Sequence, residues 1–409
     1  MSNRWKGGFV QAYFDPLASG AGWKQYSGIW TPTQQAQAIA AGTWTGLPQY
    51  ELYSWGINDI GQLGQGNVIN QSSPIQVGTL TTWSDIARGQ NQTVATTTDG
   101  KLYAWGQGEF GQTGQGDVID RSSPVQVGAL TNWKTVTASV ESSYAIKTDG
   151  TLWAFGSDGN GRLGLNTSSV ARSSPVQVGS LTTWSKVRAG WYDCAAIKTD
   201  GSLWVWGRND AGQLGLNSVL DVSSPTQVGA LTTWSEVVSG RRFRLAVKTD
   251  NTLWAWGENY FSGGQLGLGD VIYRSSPVQV GALTNWAKPA CAREASFCVK
   301  TDNTLWSWGN GASGATGHGN ATDKSSPVQV GSLTNWSQPS GIQYGAFCRK
   351  TDGTLWSWGR DDSGGLGHNN QTDLSSPVQV GSLTNWGTIV SQNQGSGGFL
   401  AILETRTGV

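Results

Sequence analysis

The chain has 409 residues, with 58 Gly and 23 Trp against 2 His, 4 Cys and 1 Met. Lys plus Arg and Asp plus Glu are 27 each, so the formal net charge is zero, and 13% of residues are charged against roughly 25% in an ordinary soluble domain. This composition excludes an overall electrostatic footprint for nucleic acid or an acidic membrane, offers no apolar run of about 18 residues to span a bilayer, and favours an all-β fold with many tight turns.

Residues 1–50 come first and stand apart. The opening MSNRWKGGF has no apolar core of a secretory signal. The segment holds Trp5, Trp23, Trp30 and Trp44. Thr31-Pro32-Thr33 followed by QQAQAIAA reads as a short helix stopped at Gly42. So short and polar a stretch does not build a core alone. It reads as a strap lying on the rest of the chain or as an attachment segment that orders on a partner. The phrases WKGGFVQAYFDPL and GIWTPTQQAQAIAAGTW resemble N-terminal segments of bacteriophage tail and other virion proteins.

From residue 51 to 409 the chain is a repeat. SSP recurs with its proline at 74, 124, 175, 225, 277, 327 and 377, in steps of 50, 51, 50, 52, 50 and 50 residues. Trp83, Trp133, Trp184, Trp234, Trp286, Trp336 and Trp386 keep the same beat, and so do Gly56, Gly106, Gly156, Gly207, Gly257, Gly309 and Gly359. Within a unit, TLWSWG and AIKT alternate apolar with polar residues, as half-buried strands do. The Asp-Gly or Asp-Asn between them, as at Asp149-Gly150 and Asp250-Asn251, is a hairpin turn. SSPVQVG is a further strand, with Pro expected at its first position. GQLG is a Gly-rich loop crossing the end of the unit. Four strands in each of seven units predict a seven-bladed β-propeller. A unit starts at the Trp of TTW and ends at VQVG, so the last blade is split. Its first two strands come from about Thr388 to Thr405 and its last two from Glu51 to Gly78.

The order W-G-x-N, G-Q-L-G, P-x-x-V, then A-I-K-T-D-G-T-L-W resembles the regulator of chromosome condensation repeat family, over all seven units. That resemblance implies the same seven-bladed propeller and the use of a loop face to bind proteins. Some members are exchange factors for small GTPases with chromatin contacts, and a β-lactamase inhibitor protein of this fold binds through aromatic-rich loops. A neutral chain without a basic tail argues against the chromatin role, and no exchange-factor wedge is evident. Only the general use of a loop face carries over.

Chemistry is sparse. No nucleophile motif, phosphate loop or zinc spacing is present, so no cofactor, no catalytic residue and no enzymatic activity are expected. His318 and His368 share a loop position where other units have Gln65, Gln115, Leu165, Leu216 and Leu268. Two exposed rings on adjacent blades could hold a metal, though surface substitution is the simpler reading. Cys298 and Cys348 fall where siblings have Ala145, Ala196 and Ala246, a small buried strand position, and no disulfide framework is expected. Trp105, Trp206, Trp256, Trp308 and Trp358 recur because every blade needs the same packing.

Comparison of the seven copies isolates one variable slot after the first strand of each blade. It reads Gln90-Asn91-Gln92-Thr93, Val140-Glu141-Ser142-Ser143, Trp191-Tyr192-Asp193-Cys194, Arg241-Arg242-Phe243-Arg244, Arg293-Glu294-Ala295-Ser296 and Gln343-Tyr344-Gly345-Ala346. The last blade has a Gly/Ser-rich version from Asn393 to Gly398. The slots should ring the channel on one face, and varied groups on a constant scaffold mark a recognition surface. The expected binding face is Glu141, Trp191, Tyr192, Asp193, Arg241, Arg242, Phe243, Arg293, Glu294 and Tyr344, with Tyr260 and Phe261 on an insertion. Trp, Tyr and Arg are the types that anchor interfaces. Trp191 and Tyr192 with Asp193 would also suit a sugar ring. Glu141, Asp193, Glu258 and Glu294 supply carboxylates for a glycosidase, but nothing in the sequence pairs them.

These features lead to a non-enzymatic structural and adhesion protein, expected in a bacteriophage virion near the tail and multimeric there. Residues 1–50 would join other virion proteins, and the variable face would meet a host surface protein or glycan. No nucleic acid and no membrane insertion are expected. The alternative is a soluble protein-binding module, a regulator or an enzyme inhibitor.

Overall fold

The computed structural model describes residues 11–13, 24–28, 48–259, 263–391 and 398–406. Two compact units emerge, residues 1–49 with 405–409, and residues 50–404. In the first, Gln11–Tyr13 pairs antiparallel with Lys24–Gly28. No alternating pattern in residues 1–50 announces that pair. The helix expected after Thr33 lies outside the described residues.

The second unit holds seven four-stranded sheets. Blade 1 is built of Trp83–Arg88, Gln92–Thr97, Leu102–Gly106 and Arg121–Gln126. Blade 2 runs from Trp133, blade 3 from Trp184, blade 4 from Trp234, blade 5 from Trp286 and blade 6 from Trp336, each in the same order. Blade 7 takes Trp386–Ser391 and Gly398–Arg406 from the end of the chain, then Pro48–Gly56 and Gln71–Gln76 from near its start. The predicted split blade therefore closes the ring. First strands of neighbouring blades touch all the way round, blade 7 against blade 1 included, and line the central channel.

The core is between blades, not within them. Seven clusters of buried apolar side chains occupy the seven interfaces. In one, Tyr144, Ile146, Leu152 and Val178 of blade 2 pack on Trp184, Val187 and Trp206 of blade 3. Another joins Leu52 and Val77 of blade 7 to Trp83, Ile86 and Trp105 of blade 1. Each strand alternates its side chains to both faces, so every blade serves two clusters. Cys194, Cys291, Cys298 and Cys348 are buried in this packing as thiols, outside any disulfide.

The GQLG loop does more than cross its own blade. It reaches forward to the next one. The Nε1 atoms of Trp105, Trp206, Trp256, Trp308 and Trp358 donate to backbone oxygens of Gln62, Arg162, Gln213, Gln265 and Ala315 at 2.8 to 3.1 Å. The indole lies so close that a Cβ on Gly215 would stand 2.7 Å from Trp256 Nε1, and Gly215 has φ +70°. Glycine answers both demands. The proline of SSP is not at the first position of its strand. Pro124 is fourth in Arg121–Gln126, within a register shift against Leu102–Gly106. A bulge in the outermost strand needs no donor from it.

The turn predicted at Asp-Gly is closed by Asp149, whose carboxylate accepts from the Thr151 amide and hydroxyl, while Thr151 Oγ1 accepts from Trp153 Nε1. Asn251 and Asn303 take the glycine position with φ near +60°. Lys147 Nζ sits 3.8 Å from the Trp153 ring centroid, a contact repeated by Lys198, Lys248, Lys300 and Lys350.

Candidate functional site

Strand pairing fixes where the variable slots lie. Gly106, ending the third strand of blade 1, pairs with Gln92 at the slot and with Arg121 at the start of the fourth strand. The slot and the long loop after the third strand therefore share one end of the propeller. The amide of the residue after Trp-Gly donates to the second slot residue, as Arg208 does to Tyr192 and Glu258 to Arg242.

On this end the aromatic and arginine side chains form a band over blades 2 to 6. Arg162 pairs with Glu141 at 3.0 Å and lies 4.5 Å from the Tyr192 ring centroid. Arg208 approaches the same ring at 5.6 Å and pairs with Asp210 at 2.6 Å. Arg242 stands between Asp210 and Glu258, at 3.5 and 3.9 Å. Trp191 meets the Tyr192 edge at 5.9 Å, with Arg241 and Arg293 at 4.7 and 5.4 Å from its centroid. Glu294 is shared by Arg241 and Arg293. Arg293 Nη1 donates to the Tyr344 hydroxyl at 2.8 Å, and Arg360 lies 5.3 Å from that ring. Rings and guanidinium groups hold one another, so the band is pre-ordered.

Trp191, Tyr192, Arg241, Arg242, Arg293, Glu294, Tyr344 and Glu141 are thus brought together, all partly exposed. Asp193 and Phe243 are not on the surface; they are 3% and 1% exposed. They open the second strand, where alternation turns the side chain inward between blades. Asp193 takes an ion pair from Arg244 Nη2 of blade 4, and Arg244 also donates to Ser239 Oγ and the Gln213 carbonyl. Burial pushes the Asp193 carboxyl up to about 6, with Arg244 pulling the other way. Gln92 does the same work in neutral form, donating to the Ser139 carbonyl of the next blade. Tyr260, Phe261 and residues 392–397 of the last slot lie outside the described residues.

Arg162, Arg208, Asp210 and Arg360 were missed. For Arg208 and Arg360 the signal was present: the position after the aromatic-Gly pair reads Ile57, Gln107, Ser157, Arg208, Glu258, Asn310 and Arg360, as varied as the slot it touches.

The histidines are half-buried, not exposed. His318 Nε2 lies 2.9 Å from Ser307 Oγ and His368 Nε2 lies 2.8 Å from Ser357 Oγ, each within its own blade. Gln65 makes the same contact to Ser54 at 2.9 Å. Burial lowers both imidazole pKa values. Among the described residues no group of three or more His, Cys, Asp or Glu is placed to share a metal. Glu141, Asp193, Glu258 and Glu294 each face an arginine.

The regulator of chromosome condensation (RCC1) repeat matches residues 51–96, 99–146, 149–197, 200–247, 250–299 and 352–397, and a second form of it matches 184–213. The chain belongs to the regulator of chromosome condensation repeat family. Residues 300–351, between two matches, supply the last two strands of blade 5 and the first two of blade 6. Human WBSCR16 superposes with a TM-score of 0.77 at 17% identity, covering 87% of this chain and 99% of that one. Prp20p of Saccharomyces cerevisiae, described with its binding to Gsp1p and histones, gives 0.76 at 17% identity over 91% and 95% of the two chains. Yeast RCC1 (Prp20) with Kap60 bound gives 0.76 at 17% over 97% and 96%. At this identity the likeness is one of fold. No curated protein matches the chain in sequence.

Proposed function

We propose that this chain is a non-catalytic protein-binding module whose partner docks on the slot end, over the band from Glu141 to Arg360. The observation that carries the reading is the set of arginines and aromatic rings ordered on one another at the surface. Such groups lose little entropy on binding and are the side chains that dominate interfaces. Relatives of the same fold bind proteins, Gsp1p and histones for Prp20p and Kap60 for yeast RCC1. The glycan option is disfavoured by the same geometry, because the Trp191 and Tyr192 rings already carry guanidinium groups. The virion reading draws on phrases within residues 1–50 and takes no support from the family match.

The test is a photoreactive amino acid at Trp191 in cells of the source organism, with the same probe at Leu231 on the opposite end. A discrete crosslinked protein from Trp191 and not from Leu231 is expected. Trp191→Ala and Arg241→Ala should then each weaken that partner by about 30-fold, as truncating a 2 kcal/mol anchor does, with an unchanged melting temperature. Equal crosslinking from both ends, or none from Trp191, refutes the choice of face.

A further inference from the structure

The turn before each outermost strand divides the slot end into two sectors. Five residues before the SSP proline stand Ile69, Ile119, Val170, Leu220 and Ile272, in blades 7, 1, 2, 3 and 4, at 47 to 73% exposure. A half-exposed Val precedes each of them except Val170. Blades 5 and 6 carry Thr322 and Thr372 at the same position, after Ala321 and Gln371. A residue kept for the scaffold would recur in every blade and be buried, as the indoles are. These nine aliphatic side chains do neither. Two of the arginines beside them are matched within their own turns, Arg121 with Asp117 at 2.7 Å and Arg274 with Asp270 at 2.6 Å.

A five-blade arc on a seven-blade ring is self-complementary. Blade 2 is its middle, and the point opposite blade 2 falls between blades 5 and 6. A two-fold axis lying in the face through blade 2 sets blade 2 on its own copy, blade 1 on blade 3 and blade 7 on blade 4. It also sets polar blade 5 on polar blade 6. An isologous contact requires this pattern. A chain of zero net charge does not repel its copy. We propose that the arc is the interface at which two copies of this chain meet face to face.

The area is adequate. An aliphatic side chain worth about 1.5–3 kcal/mol on burial carries roughly 60–120 Å² of apolar surface, so nine of them at about 60% exposure offer on the order of 500 Å² per copy. That is over half of the roughly 800 Å² per partner of a standard interface, which suits a weak, reversible dimer. The proposal does not depend on the partner-binding reading. A bound partner and a second copy would exclude each other.

Sedimentation equilibrium of the full chain tests it, and a reversible dimer is expected. Giving blades 1 and 3 the residues of blade 5, Val118→Ala with Ile119→Thr and Val219→Ala with Leu220→Thr, should raise the dissociation constant at least tenfold. Blade 5 already folds with that pair. Leu130→Ser and Leu231→Ser, exposed at the opposite end, should leave it unchanged. The native cysteines are buried, so introduced ones report the contact. Val170→Cys should form a disulfide with its own copy, and Ile119→Cys with Leu220→Cys rather than with itself. A monomer at every concentration overturns the proposal and leaves the arc to a different protein. A dimer indifferent to the blade 5 residues, or linked as readily through Leu130→Cys, also overturns it.

Discussion

The forward hydrogen bond from indole to loop makes a comparison of two tryptophans decisive. At blade 1 the Gln62 carbonyl, from the loop of blade 7, accepts from Trp105 Nε1 at 3.1 Å and from Thr93 Oγ1 at 2.9 Å. At blade 6 the Ala315 carbonyl, from the loop of blade 5, accepts from Trp358 Nε1 at 3.1 Å, and the slot residue matching Thr93 is Ala346, which has no hydroxyl. Both indoles are fully buried. Trp105→Phe removes one of two donors, a net loss of about 1 kcal/mol beyond the smaller ring. Trp358→Phe loses the same ring volume and also orphans a buried carbonyl, which adds about 1–3 kcal/mol. Blade 2 already contains the remedy: Phe155 stands in the indole position, and Ser143 Oγ donates to the Gln112 carbonyl at 2.8 Å. Ala346→Ser in the Trp358→Phe background should therefore recover most of the difference. Urea unfolding followed by far-UV circular dichroism measures all four chains. Equal losses at Trp105 and Trp358, or no recovery from the serine, would refute the claim that the carbonyl is what each blade must satisfy.

Three further outcomes are expected. Asp193→Asn leaves the Arg244 guanidinium buried without its counter-charge and should cost about 3–5 kcal/mol in chemical denaturation, with much of the loss returned by adding Arg244→Met. The histidines have pKa values lowered on folding, so their contribution is complete above about pH 6.5 and is lost as pH falls through the lowered values. Melting curves between pH 7.5 and 5 should show it, and His318→Gln with His368→Gln, copying Gln65, should flatten that decline. Truncation after Asn393 removes Gly398–Arg406 from the middle of blade 7 and should abolish cooperative unfolding of the whole ring; a propeller that still melts in one sharp transition would count against closure by that blade.

What could be read from the sequence was what the seven copies share. The Trp, Gly and SSP beat gave strand order, blade number and the split blade, because a position that must pack alike in each interface keeps its residue. The slot was legible for the opposite reason, since Trp191, Arg241 and Arg293 replace one another where nothing in the scaffold constrains them. The errors came from contacts between copies, which a one-unit reading does not hold. Asp193 and Phe243 looked like their exposed neighbours, but the second strand begins at that residue and turns it toward the next blade. Arg162, Arg208 and Arg360 belong to a loop distant in sequence, and only the pairing of Gly106-type residues with the slot brings them beside Tyr192 and Tyr344. Pro124 was placed by the rule that proline begins a strand, while a bulge on an outer edge relieved it of that need.

The closing blade carries a consequence for how the ring is wired. The seven interfaces repeat nearly the same set of indoles, leucines and valines, with Phe155 in place of one indole, so packing does not dictate where the backbone is interrupted. The break between Arg406 and Pro48 is an accident of connectivity. A circularly permuted chain, opened in the exposed loop at residues 281–284 and with Arg406 joined to Pro48 by a flexible linker, should close the same circle. Its cost would be confined to the entropy of one longer connection, which grows only slowly with length.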